Sequence, residues 1–228
     1  MAARPNDRLM LLTRYGIREW MIITLAAAIP AAAGVFFGWW WLVGVAVVVW
    51  MALASFFRDP LGRRPASSDP RDLVSPADGL VSAVLEVSDH IATAGPATIV
   101  RIYLSVLDVH INRMPCDAEV LATVHTPGKY LDVRIEESAK VNESMVVKLR
   151  SPGGILLGVK QISGKIARHI VCPIVAGQKF ARGERFGMIK FGSTTELVIP
   201  TTSVEQIMVV KGDRVTGGVT VLARLKKI

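Results

Sequence analysis

The longest uncharged stretch of the chain, residues 21–57, places the strongest limit on how it folds. Its sequence is "MIITLAAAIPAAAGVFFGWWWLVGVAVVVWMALASFF". As one helix it would be roughly 55 Å long, far more than the ~30 Å hydrocarbon core of a bilayer. Two helices of about 17 residues fit that core better. We therefore predict a membrane-associated helical hairpin at the N-terminus.

The hairpin turn is expected near "FFGWWW". Gly38 is suited to the turn, and the tryptophans 39–41 are suited to the membrane interface. Pro30 is expected to kink or interrupt the first helix. Because both segments are at the short limit for spanning, a shallow or re-entrant hairpin stays open as an alternative. A buried pair of core helices and a cleaved signal peptide are less favoured.

Positive charge flanks the uncharged stretch on both sides. The arginines are Arg4, Arg8, Arg14 and Arg18 before it, and Arg58, Arg63 and Arg64 after it. Both ends are therefore predicted on the cytoplasmic face of the inner membrane. The net charge of +8 fits attraction to anionic lipid head groups. Nucleic acid is a poorer partner, since the basic residues are scattered without aromatic interleaving.

The rest of the chain is predicted to form mainly β structure. Residues 58–72 form a proline-rich polar linker, and residues 73–228 contain short β-branched runs separated by glycine and proline. "SMVVKLR" and "GVTVLARL" show the alternation of strands. We predict a mainly β fold, a barrel or sandwich of about 150 residues, after the N-terminal hairpin of residues 1–57.

Few residues of the β-rich part suit chemistry. The four histidines are His90, His110, His125 and His169, and their spacing does not indicate a zinc site. Cys116 and Cys172 form no metal motif and are expected to be reduced, buried side chains. "SPADG" presents Asp78 in a turn, and "YLSVLDVHINRMP" is predicted as a strand followed by a polar break that contains His110 and Arg113.

The stretch "MIKFGSTTELVIP" leaves two interpretations open. A Gly-Ser-Thr between two apolar runs is commonly a turn, because glycine tolerates unusual dihedral angles and serine bonds to nearby backbone. Alternatively, Ser193 is a nucleophile.

The order of several short motifs resembles the phosphatidylserine decarboxylases, in particular their short form. The motifs run "SPADG", "YLSVLDVHINRMP", "TPGKY", "VNES", "QISGKIARHIVCP" and "KFARGERFGMIKFGSTTELVIP". The resemblance covers residue 73 to the C-terminus. It implies an enzyme that cleaves itself between Gly192 and Ser193, leaving a β chain of residues 1–192 and an α chain of residues 193–228. These chains are expected to stay together without a covalent bond, and further oligomerisation is left open.

The resemblance also implies the chemistry. Ser193 attacks the carbonyl carbon of Gly192 to give an ester, with His110 as base and Asp78 as the residue that orients it. Elimination and hydrolysis then convert Ser193 into a pyruvoyl group. That carbonyl forms a Schiff base with phosphatidylserine and accepts electrons as CO2 leaves, with His110 as proton donor. The product is phosphatidylethanolamine, and neither a metal nor pyridoxal phosphate is expected.

The sequence departs from the family pattern at two places. Phe191 replaces a leucine before Gly-Ser-Thr, which we expect to alter the shape of the substrate pocket. Arg113 stands where many members have a second histidine, which weakens the assignment of the base to His110. Arg113 is suited to binding a carboxylate or phosphate, and a structural role has equal weight. His125 is not expected to be catalytic.

Two other functions stay open at the level of sequence. One is a membrane-anchored serine hydrolase or peptidase, which needs Ser193 intact in the mature protein. The other is a non-enzymatic lipid-binding β domain in which Gly-Ser-Thr is only a turn.

Overall fold

The computed structural model describes residues 11–135, 137–165, 169–190 and 193–227. The chain divides into two compact units between Gly62 and Arg63. The first unit is helical and the second is mainly β. Phe191 and Gly192, both singled out by the sequence, lie outside the described residues.

The first unit is a helical hairpin. A 3-10 turn at Arg14–Gly16 leads into α1 (Ile17–Phe36), and α2 (Trp40–Ser55) follows after three residues. Gly38 has a φ of 71°, which confirms that this glycine supplies the turn. The Trp50 indole Nε1 donates a hydrogen bond of 2.9 Å to the Thr24 hydroxyl, which joins the two helices. The helix α1 runs through Pro30, so of the two predicted outcomes the interruption is wrong and the kink stays a prediction.

The surface of the hairpin is apolar. Phe36 is 82% exposed and Ile29 is 74% exposed, and many other large side chains of both helices also face outward. Residues 14–36 have a mean hydropathy of 1.7 and are long enough to cross a membrane. The 16 residues of α2 are fewer than a full span needs. Such a surface is unfavourable in water and suits lipid.

Fourteen strands make up the second unit in the described residues. They are β1 (Asp72–Val74), β2 (Gly79–His90), β3 (Gly95–Leu104), β4 (Ile111–Arg113), β5 (Ala118–Thr126), β6 (Ser144–Arg150), β7 (Leu156–Ile162), β8 (His169–Val171), β9 (Lys179–Phe180), β10 (Arg185–Lys190), β11 (Ser193–Pro200), β12 (Val204–Ile207), β13 (Arg214–Val215) and β14 (Val221–Leu225). One short helix, α3 (Ser138–Val141), lies between β5 and β6.

These strands form three antiparallel sheets. The largest has the order β13-β2-β3-β11-β7-β6-β5-β9, and the two small sheets have the orders β1-β14-β12 and β4-β10-β8. A main core contains Ile102, Leu149 and Leu197, while Ile99 and Val198 belong to a second cluster. Neighbouring residues of β11 thus enter different clusters, as expected of a strand covered on both faces. The mainly β prediction is confirmed.

The polar break predicted after β3 contains a strand. Ile111 pairs with Met188 of β10, so residues 111–113 form β4 in a small sheet. The sequence did not indicate this strand because asparagine and arginine interrupt the apolar alternation. All three residues of β4 are nevertheless buried.

Gly79 provides a test of the fold. It has a φ of 149°, and a Cβ atom there would lie 2.1 Å from the carbonyl oxygen of Tyr103. We expect Gly79→Ala to lower the free energy of unfolding by at least about 2 kcal/mol, because strain and overpacking add. Thermal unfolding of the detergent-solubilised protein measures the effect.

Gly95→Ala is the matched control. Gly95 begins the next strand, and a Cβ there meets no atom within 4 Å. We expect a change within about 0.5 kcal/mol. Equal unfolding temperatures for the two variants would contradict the close approach at Gly79.

Candidate active site

Ser193 is the first residue of β11 and is fully buried. Its backbone pairs with Leu104 of β3, and the next residue, Thr194, pairs with both β3 and β7. The Ser193 Oγ has no hydrogen-bond partner among the described residues. A buried hydroxyl without a partner is energetically costly, and such groups are concentrated where a protein needs a reactive atom.

The Gly-Ser-Thr segment does not join a hairpin. β10 ends at Lys190 and belongs to the small sheet with β4 and β8, whereas β11 belongs to the eight-stranded sheet. The two residues between them, 191 and 192, therefore connect two different sheets. The strands on either side of this segment are therefore not a paired hairpin.

His110 lies immediately before β4 and is fully buried. Its carbonyl oxygen accepts a hydrogen bond of 3.2 Å from the backbone N–H of Ile189, which lies four residues before Ser193. Its ring Nδ1 lies 2.8 Å from the carbonyl oxygen of Asp108. A carbonyl can only accept, so Nδ1 carries the proton and Nε2 of the neutral ring is the basic nitrogen.

Asp108 is itself held in place. The backbone N–H of Ser105 donates to Oδ2 at 2.8 Å, and Arg214 donates to Oδ1 at 3.1 Å. Burial opposes ionisation of this carboxyl, but the hydrogen bonds from Ser105 and Arg214 outweigh it and hold its pKa below the usual value. The loop that presents His110 is thus fixed by an ionised carboxylate.

Asp78 contacts Arg63 and the backbone of Gly217. Both nitrogens of the Arg63 fork reach the carboxylate, with Nη2 2.7 Å from Oδ2, and the N–H of Gly217 donates to Oδ1 at 2.9 Å. No described hydrogen bond joins Asp78 to His110. The role of Asp78 in orienting His110 stays a prediction, and Arg63, which the sequence presented only as a flanking charge, is its main partner.

Arg113 lies close to the glycine pair 217–218, and Gly217 of this pair also bonds to Asp78. Its side chain is buried, Nη1 donates to the carbonyl oxygen of Gly183 at 3.1 Å, and its backbone N–H donates to the carbonyl oxygen of Pro76 at 2.9 Å. A Cβ atom at Gly218 would lie 2.7 Å from the Arg113 Cδ. Arg113 and Asp78 therefore both contact the glycine pair 217–218. Whether Arg113 binds substrate stays a prediction.

The other residues considered from the sequence are peripheral. His125 on β5 is nearly half exposed and pairs with Glu143 at 2.9 Å. Cys116 and Cys172 are free thiols, and burial raises the pKa of Cys116 to about 12 and that of Cys172 to about 11. Both are therefore protonated and unreactive at neutral pH. The described residues include no group of three metal-binding side chains.

The sequence did not single out three buried polar residues near Ser193. Asn112 Nδ2 donates to the Thr195 hydroxyl at 3.0 Å, and Gln161 Nε2 donates to Asn112 Oδ1 at 2.8 Å. Asn112 lay inside a quoted motif, but Gln161 and Thr195 lie on strands that only the sheet topology brings together.

Comparison with known proteins agrees with these observations. A family model described as phosphatidylserine decarboxylase matches residues 51–223. Three relatives each carry the name phosphatidylserine decarboxylase proenzyme. The protein from Rhodopirellula baltica is 41% identical over 94% of this chain and 88% of its own length. The protein from Carboxydothermus hydrogenoformans is 37% identical over 91% of this chain and 94% of its own length. The protein from Symbiobacterium thermophilum is 42% identical over 81% of this chain and 82% of its own length. The chain belongs to the phosphatidylserine decarboxylase family.

Proposed function

We propose that the chain is a proenzyme that cleaves itself between Gly192 and Ser193 and then decarboxylates phosphatidylserine to phosphatidylethanolamine. The observation that carries the proposal is the fully buried Ser193, whose Oγ has no partner among the described residues and which begins a strand in a different sheet from β10. Self-cleavage needs a serine that reaches only its own backbone, so the buried Ser193 suits this first step. The later decarboxylation requires the lipid head group to enter the site after the chain has been cut.

His110 suits the role of base in the cleavage. Its Nδ1 is held by the Asp108 carbonyl, so Nε2 is the ring nitrogen proposed to take the proton from the Ser193 hydroxyl. The hydroxyl oxygen attacks the carbonyl carbon of Gly192, the peptide C–N bond breaks, and the chain is held as an ester. Elimination then breaks the ester, and hydrolysis of the dehydroalanine releases ammonia.

The buried position of Ser193 fits a pyruvoyl group formed there. Once formed, this group supplies an electron sink for loss of CO2 from the serine head group. The protein contributes a site enclosed by β3, β7 and β11, which limits access of water. His110 remains the candidate donor of a proton to the substrate carbon, and Arg113 a candidate for binding the phosphate or carboxylate.

The helical hairpin is proposed to hold the enzyme at the cytoplasmic face of the inner membrane. Its exposed apolar side chains support insertion into lipid. Phosphatidylserine keeps its acyl chains in the bilayer, so tethering raises the effective concentration of the head group at the enzyme.

The cleavage predicts two chains in the mature protein. We expect an α chain of 36 residues (228 − 193 + 1) and about 4 kDa, at about 110 Da per residue. Ser193→Ala is expected to remain one chain of 24.7 kDa. Ser151→Ala, which changes a buried serine in the turn between β6 and β7, is the control and is expected to cleave normally. Intact-mass spectrometry showing active, uncut wild-type protein would contradict the mechanism.

His110→Ala is expected to slow cleavage by about 10²- to 10⁴-fold, the usual contribution of a positioned base. His125→Ala is the control, because this histidine is exposed and paired with Glu143. The rate of appearance of the α chain measures the effect. Cleavage of His110→Ala at the wild-type rate would remove His110 from the role of base.

Asp78→Ala is expected to slow cleavage as well. Because Asp78 contacts Arg63, the variant Arg63→Met shows how much of the effect comes from that ion pair. If both variants cleave at the wild-type rate, neither residue orients the base.

Removal of residues 1–57 separates cleavage from access to lipid. We expect the shortened protein to cleave itself, since cleavage needs only the β unit. We also expect it to release CO2 from phosphatidylserine vesicles much more slowly than the full chain does. This difference in rate is expected to be larger at high salt, because salt weakens the attraction of the protein to anionic lipid. Soluble short-chain phosphatidylserine is the control substrate. Equal vesicle rates at all salt concentrations would show that the anchor is dispensable.

A further inference from the structure

Asn112, Gln161 and Thr195 form a buried polar cluster close to Ser193 in the sheet. All three residues are fully buried. Gln161 on β7 and Thr195 on β11 are directly paired in the eight-stranded sheet, and Asn112 on β4 bonds to both side chains from the small sheet. The cluster is therefore a polar contact between the two sheets that residues 191 and 192 connect.

The cluster bears on Ser193 through the period of two in a strand. Ser193 and Thr195 are two residues apart on β11, so their side chains leave the same face of the sheet. His110 precedes Asn112 by two residues, and its carbonyl bonds to Ile189 shortly before β11. A bond that fixes Asn112 against Thr195 therefore also limits the movement of the segment carrying His110 relative to the strand carrying Ser193.

An amide is suited to this position because it donates and accepts at once. Gln161 Nε2 is a donor, so the Asn112 atom facing it is the acceptor Oδ1, and Nδ2 is left to donate to the Thr195 hydroxyl. Gly187 leaves room for the cluster, since a Cβ there would lie 3.2 Å from Gln161 Nε2. The hydrogen bonds on both sides of the Asn112 amide favour this one arrangement, although Gln161 Oε1 has no partner among the described residues.

We propose that Asn112, held by Gln161, is a positioning residue for self-cleavage. It fixes β11 against β4 through Thr195, and so sets the approach of the Ser193 hydroxyl to the base and to the Gly192 carbonyl. This proposal rests on the proposed cleavage at Gly192–Ser193. Asn112 itself makes no hydrogen bond to the Ser193 hydroxyl in the described structure.

The test removes the Thr195 hydroxyl while keeping the shape of its side chain. Thr195→Val is expected to slow formation of the α chain by about 10²-fold, the effect of a misplacement of about 1 Å at a reacting group. Thr195→Ser keeps the hydroxyl and is expected to return the rate to within a few-fold of wild type. Gln161→Met removes the hydrogen bond that Gln161 donates to Asn112 Oδ1. Because the Asn112 amide is then no longer held, this variant is expected to slow cleavage too.

Thr98→Val is the matched control for lost stability. Thr98 is a buried threonine of β3 that bonds to the Thr201 hydroxyl and pairs with Ile199, at the far end of β11 from Ser193. We expect it to lower the unfolding temperature about as much as Thr195→Val does, yet to cleave at the wild-type rate. This separates a positioning effect from a general loss of stability.

The outcomes are distinct. The positioning role is wrong if Thr195→Val cleaves at the wild-type rate, if Thr195→Ser is as slow as Thr195→Val, or if Thr98→Val is slowed equally. It is supported if only the variants that break the cluster are slow and serine rescues. Wild-type protein that never yields an α chain would instead overturn the proposed function itself.

Discussion

The pairing of β11 on both of its edges is the constraint on which the site depends. Ser193–Pro200 pairs with β3 along its whole length, and Thr194–Val198 pairs with β7. A strand held on both sides has little freedom to shift. Ser193 is thus fixed at a defined point at the start of this strand. An activated group is most effective when the surrounding structure sets its position in advance.

Near β11, backbone groups and neutral side-chain amides make the contacts that orient His110 and link the sheets. A carbonyl sets the tautomer of His110, and Asn112 links the sheets. The carboxylates of Asp78 and Asp108 are both paired with arginines. Their negative charges are thereby compensated, which suits a protein that must receive an anionic phospholipid.

The sequence predicted the long strands well because they are runs of β-branched and other apolar residues bounded by glycine and proline. The "SMVVKLR" run matches β6 at both ends. Short strands were harder to predict. β4, β9 and β13 have two or three residues each, and their pairing is decided by neighbours distant in sequence.

The residues of the candidate site also divide into those that the sequence identified and those that it did not. Ser193, His110 and Arg113 could be selected because they lie in motifs with a characteristic order. The partners could not be selected. Arg63 lies in the linker, and Gln161 and Thr195 become neighbours of Asn112 only through the sheet topology. Side-chain contacts between sheets leave no periodic signal in the sequence.

The position of Ser193 at the head of a central strand has a consequence for the working life of the enzyme. A cofactor that dissociates is replaced from solution when it is damaged. A carbonyl made from Ser193 instead belongs to a strand enclosed by β3 and β7. Exchange of that strand requires the largest sheet to open. Under the proposed cleavage, each polypeptide therefore makes its reactive group once, and lost activity is restored only by synthesis of a new chain.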